Sequence, residues 1–263
     1  MADLAHAVHG PRDGPAVLLI HGYPYDRAMW RFLVGPLTAN GYRVLLPDLP
    51  GFGQSDPQPG MSMDSMADDV ARLLDRLKVA KVAVVGFSMG GYVALAFAAR
   101  HAQRLLGLAL LDSKADADSP EGKQKREATL KEVAEHGVRA VVPGLIAAQL
   151  TEATRVSQLL LVEEVRAMML RQSKAGVLAA VAAMRDRPDR TALMPSLAVP
   201  VLALVGEADK VTPPANATAM ADAAKDGRFI AIAGAAHLTP MEQPRAVTDA
   251  VLDWLERVAP VAS

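Results

Sequence analysis

The segment Gly-Phe-Ser-Met-Gly at residues 86–90 places a serine, Ser88, between two glycines. An apolar, β-branched run precedes the segment, and an alanine-rich run typical of a helix follows it. A sharp strand-to-helix turn of this kind exposes a serine hydroxyl above the edge of a sheet, where it can act as a nucleophile. Glycines suit this crowded turn because they carry no Cβ. The alternative is a turn in which Ser88 only caps the helix, but the flanking elements favour the nucleophile.

A serine nucleophile needs a general base, and the chain has six histidines. Only His237 lies late in the sequence, on a loop directly after the apolar run at 229–233. A histidine at this position can reach back over the edge of the sheet towards the serine. A single late histidine is more often a surface residue, but the order nucleophile, acid, histidine along the chain favours a general base.

The base in turn needs an acid that hydrogen-bonds its second ring nitrogen and fixes its tautomer. Asp209 follows the apolar run at 199–205 and lies on a loop at the end of a predicted strand. Asp112 is a rival because it closes an earlier apolar run, and Glu207 is a weaker third candidate. Asp209 is preferred because its strand is the nearest in sequence to His237, although aspartates are common in turns without any catalytic role.

Attack on an ester forms a tetrahedral oxyanion, which two backbone N–H groups can hold. The amide of Met89, directly after the serine, is one candidate donor. The second lies in the His-Gly-Tyr-Pro loop that follows the apolar run at 16–20. Here the Tyr23 amide can donate, whereas Pro24 has no N–H. A His-Gly pair alone also fits an ordinary turn at the end of a strand.

Short apolar runs alternate with helical segments over most of the chain, which predicts an α/β fold with a mostly parallel sheet flanked by helices. The predicted strands are 4–9, 16–20, 43–47, 81–85, 106–111, 199–205 and 228–233. The short stretch before Ala16 has room for only one strand, so about seven strands are expected in all. Ligand sites in such sheets lie beyond the carboxyl ends of the strands, where all the candidate residues fall.

The alternation breaks between residues 114 and 193, where the sequence contains no convincing strand. Helices are predicted in this interval at 120–136, 138–149, 156–172 and 174–187, and a last helix at 240–259. We therefore expect a helical insertion at 114–193 in a core formed by residues 1–113 and 194–263.

Apolar side chains of the insertion and of the two catalytic loops form a predicted substrate pocket. Its lining is predicted to consist of Met168, Met184, Val211 and Leu238. Flexible thioether side chains could adapt to varied apolar ligands there. For any single apolar residue of the insertion, we expect packing of the insertion against the core, and lining of the pocket is the alternative. The residues concerned are Leu159, Leu160, Leu161, Met168, Met169 and Met184.

Composition excludes several classes of function. The 263 residues carry a net charge of −1 with acids and bases interspersed, so no basic stripe indicates a nucleic-acid partner. The absence of cysteine excludes disulfides, thiol catalysis and thiolate metal sites. No signal-peptide pattern is present, and no apolar run approaches the roughly twenty residues of a membrane helix. We expect a cytoplasmic protein without a membrane partner, whose oligomeric state the sequence does not indicate.

Together these motifs resemble the α/β-hydrolase superfamily over almost the whole chain. The His-Gly pair at 21–22 comes first, and residues 48–55 then read Asp-Leu-Pro-Gly-Phe-Gly-Gln-Ser, similar to the family's D-x-x-G-x-G-x-S loop. The serine turn and the loops of Asp209 and His237 follow in the family's order. The helical insertion resembles the family's cap.

The resemblance implies that Ser88 is the nucleophile, His237 the base and Asp209 the acid, with the amides of Tyr23 and Met89 as the oxyanion hole. The most similar branches are esterases, enol-lactonases and cofactor-free haloperoxidases. The implied activity is cleavage of small, largely apolar carboxylic esters or lactones through an acyl-enzyme, with no metal and no organic cofactor.

Two alternatives stay open. The same triad could serve perhydrolysis of the haloperoxidase type, which Pro24 suits, or hydrolysis of a C–C bond. A non-catalytic ligand-binding protein of the same fold is an alternative of another class, which an esterase assay separates from an enzyme.

Overall fold

Seven strands form one central sheet in the computed structural model, which describes residues 3–261. They are β1 His6–His9, β2 Ala16–Ile20, β3 Arg43–Pro47, β4 Val82–Phe87, β5 Leu105–Leu111, β6 Val201–Gly206 and β7 Gly227–Ile232. Their order is β1-β3-β2-β4-β5-β6-β7; β1 is antiparallel to β3, and the other neighbours are parallel. The predicted α/β sheet is therefore confirmed, with every strand end within two residues of its predicted position.

The central strands are apolar along their whole length because the strands of a parallel sheet are covered on both faces. Every residue of β2 and of β4 is buried. These two strands are parallel neighbours, with Ile20 opposite Gly86 in the register. Their carboxyl ends therefore meet at one edge of the sheet, which places the loop after β2 beside the turn that holds Ser88.

Eleven α-helices accompany the sheet within residues 3–261. They are α1 Arg31–Ala39, α2 Met63–Arg76, α3 Met89–Arg100, α4 Pro120–His136, α5 Val142–Gln149, α6 Glu152–Ser157, α7 Leu159–Leu170, α8 Lys174–Arg185, α9 Pro214–Ala223, α10 Thr239–Glu242 and α11 Pro244–Val258. Five of them, α4 to α8, follow one another between β5 and β6 without an intervening strand. The helix predicted at 138–149 begins later, at Val142, after a short 3-10 turn over Val138–Ala140.

The helix predicted at 156–172 is wrong in its extent, since the structure contains two helices there. Gln158 leaves the helical region (φ −119°, ψ 57°) and separates α6 from α7. The side chain of Thr151 accepts a hydrogen bond from the Thr154 N–H and so starts α6 ahead of the predicted helix. The apolar pattern of the segment does not reveal this break.

The helix predicted at 240–259 is also divided into two, α10 and α11. The break lies at Gln243 (φ −130°, ψ 58°), directly before Pro244. A proline ring disfavours helical backbone angles in the residue before it. Pro244 itself suits the first position of α11, where its missing N–H has no intrahelical partner in any case.

One continuous hydrophobic core joins the sheet to the inserted helices, and Val165 and Val177 are fully buried in it. Leu159 and Leu160 are exceptions, because 65% and 89% of their surfaces are exposed. The expectation that they pack against the core is therefore wrong. Within residues 3–261, none of the helices has the length and apolar character needed to cross a membrane.

Candidate active site

Ser88 lies at a strained turn between β4 and α3. Its backbone angles (φ 51°, ψ −114°) fall in a region that costs a non-glycine residue about 1–3 kcal/mol. A Cβ on Gly90 would lie 2.2 Å from the carbonyl oxygen of Ile20, and a Cβ on Gly86 would lie 2.4 Å from the carbonyl oxygen of Gly90. Both glycines of the motif are therefore required for the close approach of β2, β4 and α3.

The structure brings Ser88, His237 and Asp209 into one hydrogen-bonded chain. Ser88 Oγ lies 2.9 Å from His237 Nε2, and His237 Nδ1 lies 2.8 Å from Asp209 Oδ2. His237 and Asp209 are buried, whereas Ser88 is half-buried. Because an ionised carboxylate only accepts, Nδ1 carries the ring proton and Nε2 is free to accept the hydroxyl proton of the serine. This arrangement can activate the serine hydroxyl for attack on a carbonyl group.

Four hydrogen bonds hold the carboxylate of Asp209. Oδ1 accepts from the N–H groups of Val211 at 2.7 Å and Thr212 at 3.0 Å, while Oδ2 accepts from the Thr212 hydroxyl at 2.7 Å and from His237. Burial alone would raise the pKa of Asp209, but the hydrogen bonds and charge of His237 and the bonds from Thr212 lower it overall. Asp209 is therefore ionised, as a partner of an imidazolium must be. No sequence motif indicates that Thr212 holds the carboxylate of Asp209.

The rival acid, Asp112, is buried beside this chain but is bound elsewhere. Its Oδ1 accepts from the Gly206 N–H at 3.0 Å, and its Oδ2 contacts the hydroxyl of Thr239. Burial, followed by the charge of Asp209, raises the pKa of Asp112 well above its usual range. Asp112 thus holds its proton more strongly than an ordinary aspartate does, and it links the loop after β6 to the segment after His237. The third candidate, Glu207, is exposed.

The loop after β2 is held by His21, which is buried. Its Nε2 accepts from the Leu49 N–H at 2.9 Å, so its Nδ1 carries the proton and donates to the Gly22 carbonyl oxygen at 3.0 Å. This pairing joins the loop after β2 to the loop after β3. The Tyr23 amide has no acceptor among residues 3–261, and the peptide bond from Tyr23 to Pro24 is cis.

The second amide of the predicted oxyanion hole belongs to Met89. Met89 is the first residue of α3, so its N–H has no intrahelical acceptor. Because β2 and β4 are neighbours, the Tyr23 and Met89 amides belong to adjacent loops at the carboxyl edge of the sheet. An N–H at a helix start also lies at the positive end of the helix dipole, which favours a bound oxyanion.

Inserted helices are tied directly to the loop that carries His237. The carbonyl oxygen of Gln149, at the end of α5, accepts from the Leu238 N–H at 3.0 Å. The buried carboxylate of Glu242 accepts from the N–H groups of Thr151 and Ala236, each at 2.8 Å. These contacts join residues far apart in sequence, and sequence analysis did not identify them.

A second tie fixes the end of α7 to the loop after β2. Arg171 donates two hydrogen bonds of 2.7 Å to Asp26, and Gln172 Nε2 donates a third at 2.9 Å. Burial would raise the pKa of Asp26, but the bonds from Arg171 and Gln172 lower it overall. The Gln172 Oε1 also accepts from the Gly53 N–H at 2.9 Å, so three segments meet at this point.

The four predicted pocket residues lie in two kinds of environment. Met168, Met184 and Leu238 are almost completely buried in the hydrophobic core. Val211 is 44% exposed and lines a cavity of about 560 Å³ that also contacts Tyr92 and Lys210. Their contact with a substrate remains a prediction.

Within residues 3–261, one group of side chains has the spacing of a metal site. Ligand atoms of Asp112, Asp209 and His237 lie within 4.8 Å of one another. These atoms already accept or donate the hydrogen bonds described above, including those from Gly206 and Thr212. A metal would have to replace these bonds, so the donor set fits an acid–base pair better than a metal centre.

The chain is similar in sequence and in fold to proteins of known structure. A family model described as alpha/beta hydrolase fold matches residues 15–244. A thermophilic esterase from Thermogutta terrifontis, solved with malate bound, is 41% identical, with a TM-score of 0.94 over 98% of this chain and 94% of that chain. The enol-lactonase of Burkholderia xenovorans LB400 is 28% identical, with a TM-score of 0.90 over 97% and 96% of the two chains.

Curated proteins are also similar in sequence to this chain over most of its length. The 3-oxoadipate enol-lactonase 1 of Acinetobacter baylyi is 27% identical over 92% of this chain and 88% of that protein. A putative carbamate hydrolase of Variovorax paradoxus is 29% identical over 97% of both chains. Two curated relatives with higher identity align over only 33% and 25% of their own length.

Proposed function

The chain belongs to the alpha/beta hydrolase family, and we propose that it cleaves small, largely apolar carboxylic esters or lactones through an acyl-enzyme formed on Ser88. The observation that carries this proposal is the hydrogen-bonded chain from Ser88 through His237 to Asp209. The similar proteins include an esterase and two enol-lactonases, which supports hydrolysis of an ester or a lactone.

Acylation begins when the Ser88 hydroxyl attacks the carbonyl carbon of the substrate and its proton passes to His237 Nε2, 2.9 Å away. The charge of Asp209 stabilises the imidazolium that forms. The amides of Tyr23 and Met89 donate to the developing oxyanion. His237 then gives its proton to the leaving alcohol oxygen, and the acyl group stays bound to the serine.

Deacylation repeats these steps with water. His237 accepts a proton from a water molecule, whose oxygen attacks the acyl carbonyl carbon. Collapse of the second tetrahedral intermediate releases the carboxylic acid, and the proton returns to Ser88 Oγ. Ester and water thus give acid and alcohol, and no metal ion or organic cofactor takes part.

We assign residues 1–113 and 194–263 to the catalytic core and residues 114–193 to a cap that limits which substrates reach the serine. The proposed pocket lining is Met168, Met184, Val211 and Leu238. Two of these residues adjoin catalytic groups directly, since Leu238 follows His237 and the Val211 N–H donates to Asp209. An apolar lining favours substrates whose acyl or alcohol part is apolar.

Hydrolysis of p-nitrophenyl acetate and butyrate by the purified protein tests this proposal. Ser88→Ala should lower turnover by up to about a million-fold, because a triad acts as a unit. Ser196→Ala, a change of the same type at an exposed serine, should leave turnover unchanged. If Ser88→Ala kept a tenth of the wild-type rate, the serine assignment would be wrong.

The same assay separates the alternatives. A non-catalytic binding protein would show neither a burst of p-nitrophenol nor turnover that depends on Ser88. Added hydrogen peroxide would divert the acyl-enzyme to a peracid if perhydrolysis is significant. A diketone substrate tests hydrolysis of a C–C bond.

A further inference from the structure

A cavity of about 560 Å³ lies between the start of α4 and the loops that follow β5 and β6. It approaches the catalytic residues from two sides. Tyr92 on its wall lies one helical turn after Ser88, and the Tyr92 N–H contacts the Ser88 carbonyl oxygen at 3.3 Å. Val211, also on its wall, donates its N–H to Asp209. These contacts place the cavity wall next to the backbone segments that carry Ser88 and Asp209.

Cations outnumber carboxylates on the cavity wall. The wall carries four cations against two carboxylates, namely Lys114, Lys125, Arg126 and Lys210 against Asp116 and Asp118. Asp118 is shared, since it lies 3.1 Å from Arg126, 2.9 Å from Arg187 and 3.7 Å from Lys114. Lys114 also forms an ion pair of 2.7 Å with Asp116, so the two wall carboxylates are already paired with Lys114, Arg126 and Arg187. Positive charge therefore remains in excess on the wall.

The surplus charge resides on two exposed side chains, Lys125 and Lys210. Neither ammonium group has an ion-pair partner within 4.0 Å among residues 3–261. The charge of Lys125 contributes to the lowered pKa of Glu121, which lies on the same helix. Lys210 directly follows the acid of the proposed triad. Both ammonium groups are therefore available to a ligand.

The charge of Arg126, on the cavity wall, also acts on Tyr23. The hydroxyl of Tyr23 has no hydrogen-bond partner among residues 3–261, although only 6% of the residue is exposed. Burial raises the pKa of Tyr23 above its usual range, and the nearby charge of Arg126 opposes this rise. Arg126 thus lies on the cavity wall and also within electrostatic range of the residue whose amide is assigned to the oxyanion hole.

We propose that this cavity binds a carboxylate carried by the substrate at the end remote from the scissile ester, with Lys125, Arg126 and Lys210 as its cationic partners. The inference rests on the proposed function and specifies its substrate class as esters or lactones of acids that bear a second, ionised carboxyl group. Ammonium and guanidinium groups form charge-assisted hydrogen bonds with carboxylates. The pocket residues then contact the apolar chain between the two groups.

A matched pair of substrates tests the proposal. The mono-p-nitrophenyl ester of suberic acid carries a free carboxylate, and its methyl ester is the neutral counterpart of nearly equal size. The ratio of their kcat/KM values should favour the anionic ester by about tenfold at about 0.01 M salt. The preference should fall towards one at about 1 M salt, where the Debye length shrinks from about 30 Å to about 3 Å.

Variants locate the preference on the cavity wall. Lys125→Gln and Lys210→Gln should each lower the ratio by about two- to fivefold, the range expected for exposed charge pairs. Lys131→Gln, at an exposed lysine of α4 away from the cavity, should leave the ratio unchanged. A wild-type ratio of one or less, or equal effects of all three variants, would overturn the proposal.

Binding without turnover separates this inference from the proposed function. Equilibrium dialysis of suberate against the Ser88→Ala variant should show binding that weakens when Lys125→Gln and Lys210→Gln are added together. If suberate binds in this way but the wild-type protein hydrolyses no ester, only the proposed function fails. If neutral esters are hydrolysed but suberate does not bind, only the carboxylate site is wrong.

Discussion

The hydrogen bonds around the Asp209 carboxylate determine what its replacement by asparagine does to catalysis. Oδ1 accepts from two backbone N–H groups, those of Val211 and Thr212, so the asparagine oxygen must occupy this position. The amide nitrogen then takes the place of Oδ2 and faces His237 Nδ1. Because an amide NH2 only donates, Nδ1 must become an acceptor and the ring proton must move to Nε2. In that tautomer His237 cannot accept the proton of Ser88.

Loss of the correct tautomer should lower kcat/KM by about 10⁴-fold. At about 1.36 kcal/mol for each factor of ten, this corresponds to about 5.5 kcal/mol of transition-state stabilisation. Folding should survive, because the asparagine oxygen keeps both backbone bonds and the Thr212 hydroxyl can accept from the new amide. Hydrolysis of p-nitrophenyl butyrate measures the loss, and thermal unfolding of the same sample shows whether the fold is intact.

Asp112→Asn is the matched control, since it makes the same change in the neighbouring buried carboxyl. Asp112 accepts from the Gly206 N–H and from the Thr239 hydroxyl. Asparagine can keep the first bond through its oxygen, and its NH2 can donate to the same hydroxyl. Asp112→Asn should therefore keep most of the activity. If Asp112→Asn lowered kcat/KM by about 10⁴-fold while Asp209→Asn kept more than a tenth of the wild-type kcat/KM, the acid would be Asp112.

Three further predictions concern stability, selectivity and metals. Folding raises the pKa of Asp112, so the wild-type protein loses stability as pH rises above the ordinary aspartate pKa of about 3.9. The Tm of Asp112→Asn minus the Tm of the wild type should therefore increase with pH. A Tm difference that stays constant with pH would mean that folding does not raise the pKa of Asp112. Each methylene that the pocket buries contributes about 0.8 kcal/mol. The kcat/KM for neutral p-nitrophenyl esters should therefore rise about fourfold per carbon of the acyl chain and fall once the pocket is full. A steady rise as far as the palmitate ester would indicate a lipase. EDTA should leave the rate unchanged, whereas inactivation with rescue by zinc would show a metal mechanism at Asp112, Asp209 and His237.

The sheet and the serine turn could be predicted because local sequence determines them. Strands buried on both faces must be apolar throughout, so β2 and β4 appear as unbroken apolar runs. The glycines at 86 and 90 indicate close backbone contacts, because a Cβ at either position would clash with a backbone carbonyl oxygen. The order of elements in a parallel sheet then brings the loops of Ser88 and His237 to one edge.

The remaining features depend on contacts between distant segments. Gln149 and Glu242 join the inserted helices to the loop of His237, and neither lies in a motif. The exposure of Leu160 and the break at Gln158 also follow from how the insertion folds onto the core, which the apolar pattern does not encode. The choice of Asp209 over Asp112 follows from position along the chain, whereas the opposite shifts of their pKa values depend on burial, hydrogen bonds and neighbouring charges in the fold.

Covalent labelling followed by mass spectrometry of the intact protein tests the central claim most directly. A fluorophosphonate reacts only with an activated hydroxyl, so the wild-type protein should gain a single adduct, and peptide mapping should place it on Ser88. Ser88→Ala should gain none, and Asp209→Asn should react far more slowly than the wild type. An adduct that persists in Ser88→Ala, or ester hydrolysis by a wild-type protein that forms no adduct, would contradict the account.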